Sequence, residues 1–289
     1  MPSSKLPPLL HLGTSSWSSD DWVGPFYPEG TKPNQYIVEY AKHFETVEMD
    51  ATWHHMPSSQ LIRSLDARTP SGFIFSAKAP DLITHQKYLV GCEAEVGQFL
   101  ETMALLGDKL GPFVFQFPYV AKGKDAEEYR TGNDFVSRLA AFLPTLPTHF
   151  SYVVEVRNSN WLKKPLLDVL KKHNVALALT AYYTMPSLEE MLQKGIDPVT
   201  AAFTFVRFIG HRKQIDALIQ GKIKAGEKKR EFDELIVDRR AEMSRWISPL
   251  REILKRGIPA YVYFNNHYGG FGPGSARLFT ELWEDSQSD

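Results

Sequence analysis

Seven apolar runs in this chain end in polar or charged residues. Each run has the composition of a buried strand, yet a charged group costs several kcal/mol to bury unless it is paired or hydrogen-bonded. Strands that repeatedly end this way predict one shared polar site at one end of a barrel, the architecture in which strand ends carry chemistry. In chain order the runs are LLHLGTSSW, TVEMDATWH, FIFSAKAP, FVFQFP, YVVEVRNSNW, FTFVRFIG and AYVYFNN.

Helix-like segments alternate with these runs, and KHNVALALTA supplies the sixth of eight strands. This alternation predicts an α/β fold, a TIM-type (β/α)8 barrel in a single domain over residues 1–289, with the barrel itself at about 10–285. The alternative is an open doubly wound sheet, but the first strand lacks a GxGxxG turn, so we expect no dinucleotide cofactor. The predicted helices cover residues 33–44, 58–68, 93–106, 133–142, 164–173, 187–193, 232–256 and 275–283.

Composition narrows the class of protein. With 289 residues and 43% hydrophobic side chains, the chain can bury a large core. Its formal net charge of −1 provides no overall field toward nucleic acid or an anionic membrane. The single cysteine, Cys92, cannot form an internal disulfide, which is typical of the reducing cytosol. Without a bilayer-length apolar segment or a targeting segment, we expect a cytoplasmic protein with no membrane partner.

Two connections are long for a barrel, residues 120–132 and residues 210–230. Both follow strands, so both are expected on the face formed by the carboxyl ends of the strands. They would serve there either as lids and binding loops or as ordinary solvated loops.

Strand parity selects which polar residues meet. Side chains alternate along a strand, so Glu155 and Arg157 share one face while Val154 and Val156 share the other. We expect the charged face to point toward the barrel axis, because the opposite choice would bury charge beneath the helices. The competing interpretation is a self-neutralising ion-pair network that plugs the barrel. The residues predicted to converge near the mouth are Glu48, Lys78, Gln116, Glu155, Arg157, Arg207 and Asn265.

The residue types in this set suggest their chemistry. Arginine and lysine together suit an anionic group such as phosphate or carboxylate. Two carboxylates, Glu48 and Glu155, can act as general acid and base or can ligate a divalent metal. His85 follows the third strand and is placed for proton transfer, with a surface or capping histidine as the alternative. No HExxH, CxxC or HxH element is present, so no metal ligand is assigned.

Aromatic residues gather at the same end of the predicted strands. They could stack on a sugar or a base, although packing beneath loops is the commoner role of such rings. This group contains Trp17, Trp22, Phe26, Tyr27, Trp53, Tyr119, Trp161 and Tyr268.

The segment YGGFGPGSA follows the last strand and precedes a predicted helix. A glycine-rich turn at a helix N-terminus can cradle phosphate, and barrels often bind phosphate near their last two strands. A flexible turn explains the same glycines equally well.

Several linked motifs resemble one known family. GTSSW, DWVGPFYPEG, FETVEMDATW, TPSGFIFSAKAPDLITH, FVFQFP, YVVEVRNSNW, VRFIG and VYFNN are similar, in this order, to the domain of unknown function 72 family (YecE-like), over about residues 10–283. The resemblance implies a TIM-type barrel and supplies no established reaction. It places the family's motif positions on Trp17, Glu48, Thr52, Lys78, His85, Gln116, Glu155, Arg157, Trp161, Arg207 and Asn265.

This chain departs from the family pattern at a few of these motifs. Ser16 stands where many members have glycine, and Ile209 stands where several have a histidine before Gly210. Asp50-Ala51 and Trp53-His54 also differ from the pairs that many members carry. A histidine role after the seventh strand is therefore not carried over to this chain.

We favour an enzyme that acts on a small anionic substrate, phosphorylated and sugar- or nucleotide-like, by carboxylate, lysine and histidine acid–base chemistry. One alternative is a metal-dependent nuclease or nucleic-acid-binding barrel, and another is a non-catalytic metabolite-binding protein. The predicted catalytic residues are Glu48, Lys78, His85 and Glu155. The predicted substrate-binding residues are Trp17, Gln116, Arg157, Trp161, Arg207 and Asn265.

Overall fold

The eight predicted strands form one parallel sheet. A computed structural model describes residues 6–121 and 132–286 of the chain. The hydrogen-bonded order is β1-β8-β7-β6-β5-β4-β3-β2, which confirms the (β/α)8 barrel. The strands are β1 (Leu10–Thr14), β2 (Thr46–Met49), β3 (Ile74–Lys78), β4 (Leu110–Gln116), β5 (Tyr152–Glu155), β6 (Ala176–Ala181), β7 (Thr204–Phe208) and β8 (Ala260–Phe264).

Helices follow the strands and pack around the sheet. Ser58 and Ser187 cap two of them, each accepting a hydrogen bond from a backbone N–H of the first turn. The described helices are α1 (Tyr36–Tyr40), α2 (Ser59–Arg68), α3 (Glu93–Met103), α4 (Gly132–Phe142), α5 (Lys164–Lys172), α6 (Leu188–Gln193), α7 (Arg212–Lys224), α8 (Arg240–Lys255), α9 (Asn266–Gly269) and α10 (Gly272–Asp285). No helix within these described ranges is long and apolar enough to cross a bilayer.

Two apolar clusters lie on opposite faces of the sheet. The large outer cluster joins the strands to the helices, and a small separate cluster fills the barrel. The small cluster contains Val114, Val153 and Phe205, whose parity matches Gln116, Glu155 and Arg207. The charged face of each of these strands therefore points into the barrel, as predicted.

The two ends of the hydrogen-bonded strand order, β1 and β2, meet at a seam that a side chain bridges. The Tyr40 hydroxyl of α1 accepts hydrogen bonds from Thr14 N and Oγ1, at 2.8 and 2.9 Å, and donates to the Thr46 carbonyl at 3.0 Å. Gly13 allows the approach, because a Cβ atom there would lie 2.2 Å from the Thr46 carbonyl oxygen. The Tyr40 hydroxyl and Gly13 thus both lie at the point where the barrel closes.

The predicted loop over residues 210–230 is wrong, because most of it is helix α7. His211 caps this helix through a hydrogen bond from Gln214 N, and Ile215 and Ile219, one turn apart, are buried. The glycine and lysines of the segment suggested a loop, but the burial of this apolar spacing outweighs them. In the other long connection, residues 122–131 lie outside the described residues.

The helix predicted over residues 232–256 begins only at Arg240. Upstream backbone N–H groups bond to other segments: Phe232 N donates to Asp21 Oδ2 at 3.1 Å, and Ile236 N donates to the Gly269 carbonyl at 2.8 Å. The contact of this connection with the turn after β8 also explains a glycine of the glycine-rich segment. A Cβ atom at Gly270 would lie 2.6 Å from Ile236, so this glycine accommodates the connection.

Candidate active site at the barrel mouth

Six charged side chains gather at the carboxyl ends of four strands. They alternate in sign and contact one another in a continuous chain, which we call the mouth network. Its members are Glu48 and Asp50 at the end of β2, Lys78 of β3, Glu155 and Arg157 at the end of β5, and Arg207 of β7. With all six ionised, the mouth network has no net charge.

Arg207 is the centre of the mouth network. Its Nη1 donates to Glu155 Oε2 and its Nη2 to Glu48 Oε1, both at 2.5 Å, and Asp50 Oδ1 lies 3.6 Å from Nη2. The Arg207 side chain is only 3% exposed, and both glutamates are fully buried. The sequence predicted Arg207 as a substrate contact, but its terminal nitrogens are already engaged by carboxylates.

Arg157 extends the network toward β6. Its Nε lies 2.6 Å from Glu155 Oε1, so Glu155 faces a guanidinium on each oxygen. The guanidinium carbon of Arg157 lies 4.1 Å from the ring centroid of Tyr182, in cation–π geometry. Thr184 Oγ1 donates to the Arg157 carbonyl at 2.6 Å and fixes the backbone there.

Lys78 forms the opposite end of the network. Its ammonium lies 3.3 Å from Asp50 Oδ1 and 4.7 Å from the ring centroid of Trp53. Thr52, in the 3-10 turn after β2, donates from Oγ1 to the Lys78 carbonyl at 2.6 Å and ties β2 to β3. The Lys78 side chain is 10% exposed and Asp50 is 35% exposed, so this end is reached from solvent.

The environments of the two glutamates drive their pKa values apart. Burial raises the pKa of Glu48, and the single Arg207 contact does not offset it while Asp50 adds repulsion. Burial also acts on Glu155, but Arg157 and Arg207 outweigh it and hold its pKa at about 2. Glu48 Oε2 is buried and has no hydrogen-bond partner among the described residues. Paired carboxyl groups tuned in opposite directions are the usual arrangement for acid–base work.

His85 lies beside the Lys78 end of the network. It occupies a single π-helical turn, Leu82–Gln86, after β3, a local form that is frequent at functional sites. Its Nδ1 is 2.8 Å from Thr84 Oγ1, and its ring packs edge-on against Trp53 at 5.2 Å. Burial, together with the charge of Lys78, lowers its pKa to about 4. His85 is therefore neutral at pH 7.

Four other predicted site residues are less directly involved. Gln116 pairs in register with Glu155 but donates its amide to the Phe117 carbonyl at 2.5 Å. Asn265 caps α9, accepting at Oδ1 from His267 N at 2.9 Å. Trp17 packs edge-on against Phe75 at 6.3 Å. Trp161 is the fourth of these residues.

Trp161 packs under a helix and makes no described contact with the mouth network. Its ring stacks on Phe135 of α4 at 4.7 Å, and a Cβ atom at Gly132 would lie 3.0 Å from the indole. The same motif that carries Arg157 thus contributes a tryptophan to core packing.

The sequence-based prediction missed Tyr182 and the pairing role of Asp50. Asp50 shares the parity of Glu48, which was a usable signal. Tyr182 follows β6, the strand whose run ends without a charged residue. The two adjacent tyrosines, Tyr182 and Tyr183, were therefore the only sequence signal for a site residue there.

A cavity of about 280 Å³ adjoins the mouth network between the ends of β1, β2 and β8. Asp50 and Asn265 line it, together with Ser15, His54 and His267. Within the described residues, no group of three or more His, Cys, Asp or Glu side chains is arranged to hold a metal ion. Arg207 contacts the buried carboxylates of Glu48 and Glu155, and Arg157 contacts that of Glu155.

Comparison with known proteins identifies relatives of this chain. The sequence model of the family described as "Protein of unknown function DUF72" matches residues 11–289. The UPF0759 protein YecE of Escherichia coli strain K12 is 28% identical over 156 residues, 54% of this chain and 51% of that protein, so the match spans about half of that relative. The UPF0759 protein YunF of Bacillus subtilis strain 168 is 24% identical over 95% of this chain and 94% of its own length.

A solved structure extends the comparison to the fold. The crystal structure of a DUF72 family protein from Thermotoga maritima superimposes with a TM-score of 0.68 at 22% identity, covering 97% of this chain and 99% of that one. At this identity the likeness concerns the fold, and it supports the barrel described above.

Proposed function

The chain belongs to the DUF72 family of proteins of unknown function, and from that premise we propose that it is an enzyme acting on a small substrate with a phosphate or carboxylate group. The observation that carries the proposal is the mouth network. Buried ion pairs contribute little net stability, because desolvation offsets their attraction. Six charges at the strand ends of a (β/α)8 barrel are therefore better explained by a substrate, since this face holds the active sites of such barrels.

Lys78 and Arg157 are the proposed anion contacts. Their side chains are 10% and 12% exposed, whereas Arg207 is 3% exposed and engaged by two glutamates. Arg207 is instead assigned the role of orienting Glu48 and Glu155. This assignment keeps two cations at the surface of the network, one on each side of the mouth.

Glu48 is the proposed proton donor, and Glu155 the permanent anion. The raised pKa of Glu48 favours its neutral form, and its Oε2 is free of protein partners in the described structure. His85 is neutral when the mouth is empty, and a bound anion would raise its pKa because negative charge favours the imidazolium. His85 can then take up a proton as the substrate binds.

A nucleic-acid substrate has less support. Trp22, Trp161 and Tyr268 are buried, so these rings offer no free face on which a base could stack. The net charge of −1 also provides no general attraction to a phosphate backbone.

Calorimetric titration with inorganic phosphate, sugar phosphates and nucleoside monophosphates tests the proposal. We expect Lys78→Met to weaken binding about 10- to 100-fold, the effect of losing a charge-assisted hydrogen bond. Lys42→Met, which removes an exposed lysine paired with Glu39, is the matched control and should bind normally. Binding that is indifferent to Lys78 would overturn the proposal.

Conversion of any bound compound is then followed by phosphorus NMR and mass spectrometry. Glu48→Gln keeps a side chain that can still accept from Arg207 but cannot donate the proton, so it should retain binding and abolish turnover. Tight binding with no product in the wild-type protein would instead support a non-catalytic metabolite-binding protein.

A further inference from the structure

The side chains that line the cavity between the ends of β1, β2 and β8 differ in charge from those of the mouth network. Among the residues that line it, Asp50 is the only carboxylate, and no lysine or arginine is present. The other polar contributors are hydroxyl, amide and imidazole groups from Ser15, Ser16, His54, Asn265, Asn266 and His267. Such a surface disfavours a phosphate, which would face Asp50 without a cation, and it suits a neutral, hydrogen-bonding group.

Two of these lining residues carry hydrogen-bonding atoms without a described partner. Ser15 is 4% exposed, and its Oγ has no hydrogen-bond partner among the described residues. Asn265 Oδ1 accepts from His267 N and lies 3.0 Å from His267 Nδ1, while its Nδ2 makes none of the described hydrogen bonds. A buried hydroxyl without a hydrogen-bond partner costs free energy, so we expect a ligand or a water molecule to supply the missing hydrogen bond.

The size and walls of the cavity restrict the ligand further. A volume of about 280 Å³ corresponds to roughly nine water molecules at about 30 Å³ each, enough for one sugar ring. Trp22 lines one side, but it is 1% exposed and packs edge-on against Phe26 and Phe271. Trp22 therefore offers no free ring face here on which a nucleobase could stack.

Asp50 joins this cavity to the mouth network. It pairs with Lys78 at 3.3 Å, and it also lines the cavity. A ligand that bound its anionic group at Lys78 would thus have its neutral portion beside Asp50, Ser15 and Asn265.

We propose that this cavity binds the uncharged, polyhydroxylated part of the substrate, so that the substrate is a single sugar ring carrying an anionic group and not a nucleotide. The inference rests on the proposed function, because it takes Lys78 as the anion contact. Asp50 accepts from the sugar hydroxyls, while Ser15 and the amide of Asn265 contact the ring oxygens.

The test compares hexose and pentose phosphates with inorganic phosphate and adenosine monophosphate, by calorimetry at one pH. We expect at least one sugar phosphate to bind 10-fold or more tightly than inorganic phosphate, about the effect of one or two additional hydrogen bonds. Ser15→Ala should weaken the binding of that sugar phosphate about 3- to 10-fold and leave the affinity for inorganic phosphate unchanged. Ser18→Ala is the control, because Ser18 is an exposed serine nearby that does not line the cavity.

The outcomes separate this inference from the proposed function. Equal affinity for sugar phosphates and inorganic phosphate, or tighter binding of adenosine monophosphate than of every sugar phosphate, would overturn the sugar assignment and leave a Lys78-dependent anion site intact. If no compound bound to the protein in a way that depended on Lys78, both the sugar assignment and the proposed function would be overturned.

Discussion

At the scale of single residues, the guanidinium of Arg207 links two glutamates whose pKa values shift in opposite directions. Arg207 contacts both Glu48 and Glu155 at 2.5 Å, but only Glu155 has a second guanidinium, from Arg157. Burial raises the pKa of both glutamates; repulsion from Asp50 adds to this at Glu48, whereas Arg157, Arg207 and Lys78 together outweigh it at Glu155. The second guanidinium, from Arg157, is therefore the main difference between the two acids.

Replacing Arg207 should destabilise the protein in a pH-dependent way. Arg207→Met leaves buried carboxylates without their cation, and such a loss typically costs about 3–5 kcal/mol. The deficit should shrink below pH 5, because protonation removes the unpaired charges. Urea unfolding at pH 7 and pH 4.5 measures both effects.

The matched control is Arg240→Met, which breaks an exposed pair with Asp238 and should change stability by about 0.5 kcal/mol or less. A deficit for Arg207→Met that is equally small at pH 7 would contradict the role assigned to the network.

His85 should contribute to the acid sensitivity of the fold. Its pKa in the folded protein is about 4, below the ordinary value of 6.5, so folding disfavours its protonated form. The stability that depends on neutral His85 is complete above pH 6.5 and is lost as the pH falls toward 4. His85→Gln removes this contribution, so the variant should lose less stability than the wild type between pH 7 and pH 4.5. Thermal unfolding across that range is the measurement, and parallel curves for the two proteins would refute it.

At the scale of elements, the seam between β1 and β2 is held by a side chain from α1. The other seven strand junctions are ladders of backbone hydrogen bonds, with a register shift between Phe75 and Ala77 in the β3–β4 ladder. At the seam, the Tyr40 hydroxyl connects Thr14 to Thr46, so the position of a short helix determines how two strands meet. A one-atom change in that helix should therefore affect the barrel itself.

Tyr40→Phe should cost about 1–3 kcal/mol, because it leaves the buried Thr14 N–H and the Thr46 carbonyl without this partner. Hydrogen exchange at the Thr14 amide should accelerate in the variant. Tyr36→Phe, in the same helix, loses a partly buried hydrogen bond to the exposed Asp20 carboxylate, which water can replace in part, and should cost less. Equal losses for the two variants, with no change at Thr14, would show that the hydroxyl does not close the seam.

At the scale of the whole molecule, the sequence predicted the barrel and most of the mouth network, because both follow from local patterns. Alternation along β5 and β7 was enough to direct Glu155 and Arg207 inward. Which carboxylate pairs with which guanidinium could not be predicted, since it depends on the tilt and stagger that bring β2, β5 and β7 together. The packing of the Trp161 ring against α4 likewise could not be predicted, because it depends on the space that Gly132 leaves for the indole.

The order of the strands in the sheet also has a consequence for synthesis. The ladder pairs β1 with β8, so Leu10 faces Ala260, 250 positions later in the chain. On the ribosome, the first strand emerges long before its partner exists, while β2 to β7 can assemble in sequence as they appear. We expect the nascent chain to hold a six-strand open sheet from β2 to β7, with β1 lacking its backbone ladder until β8 is released.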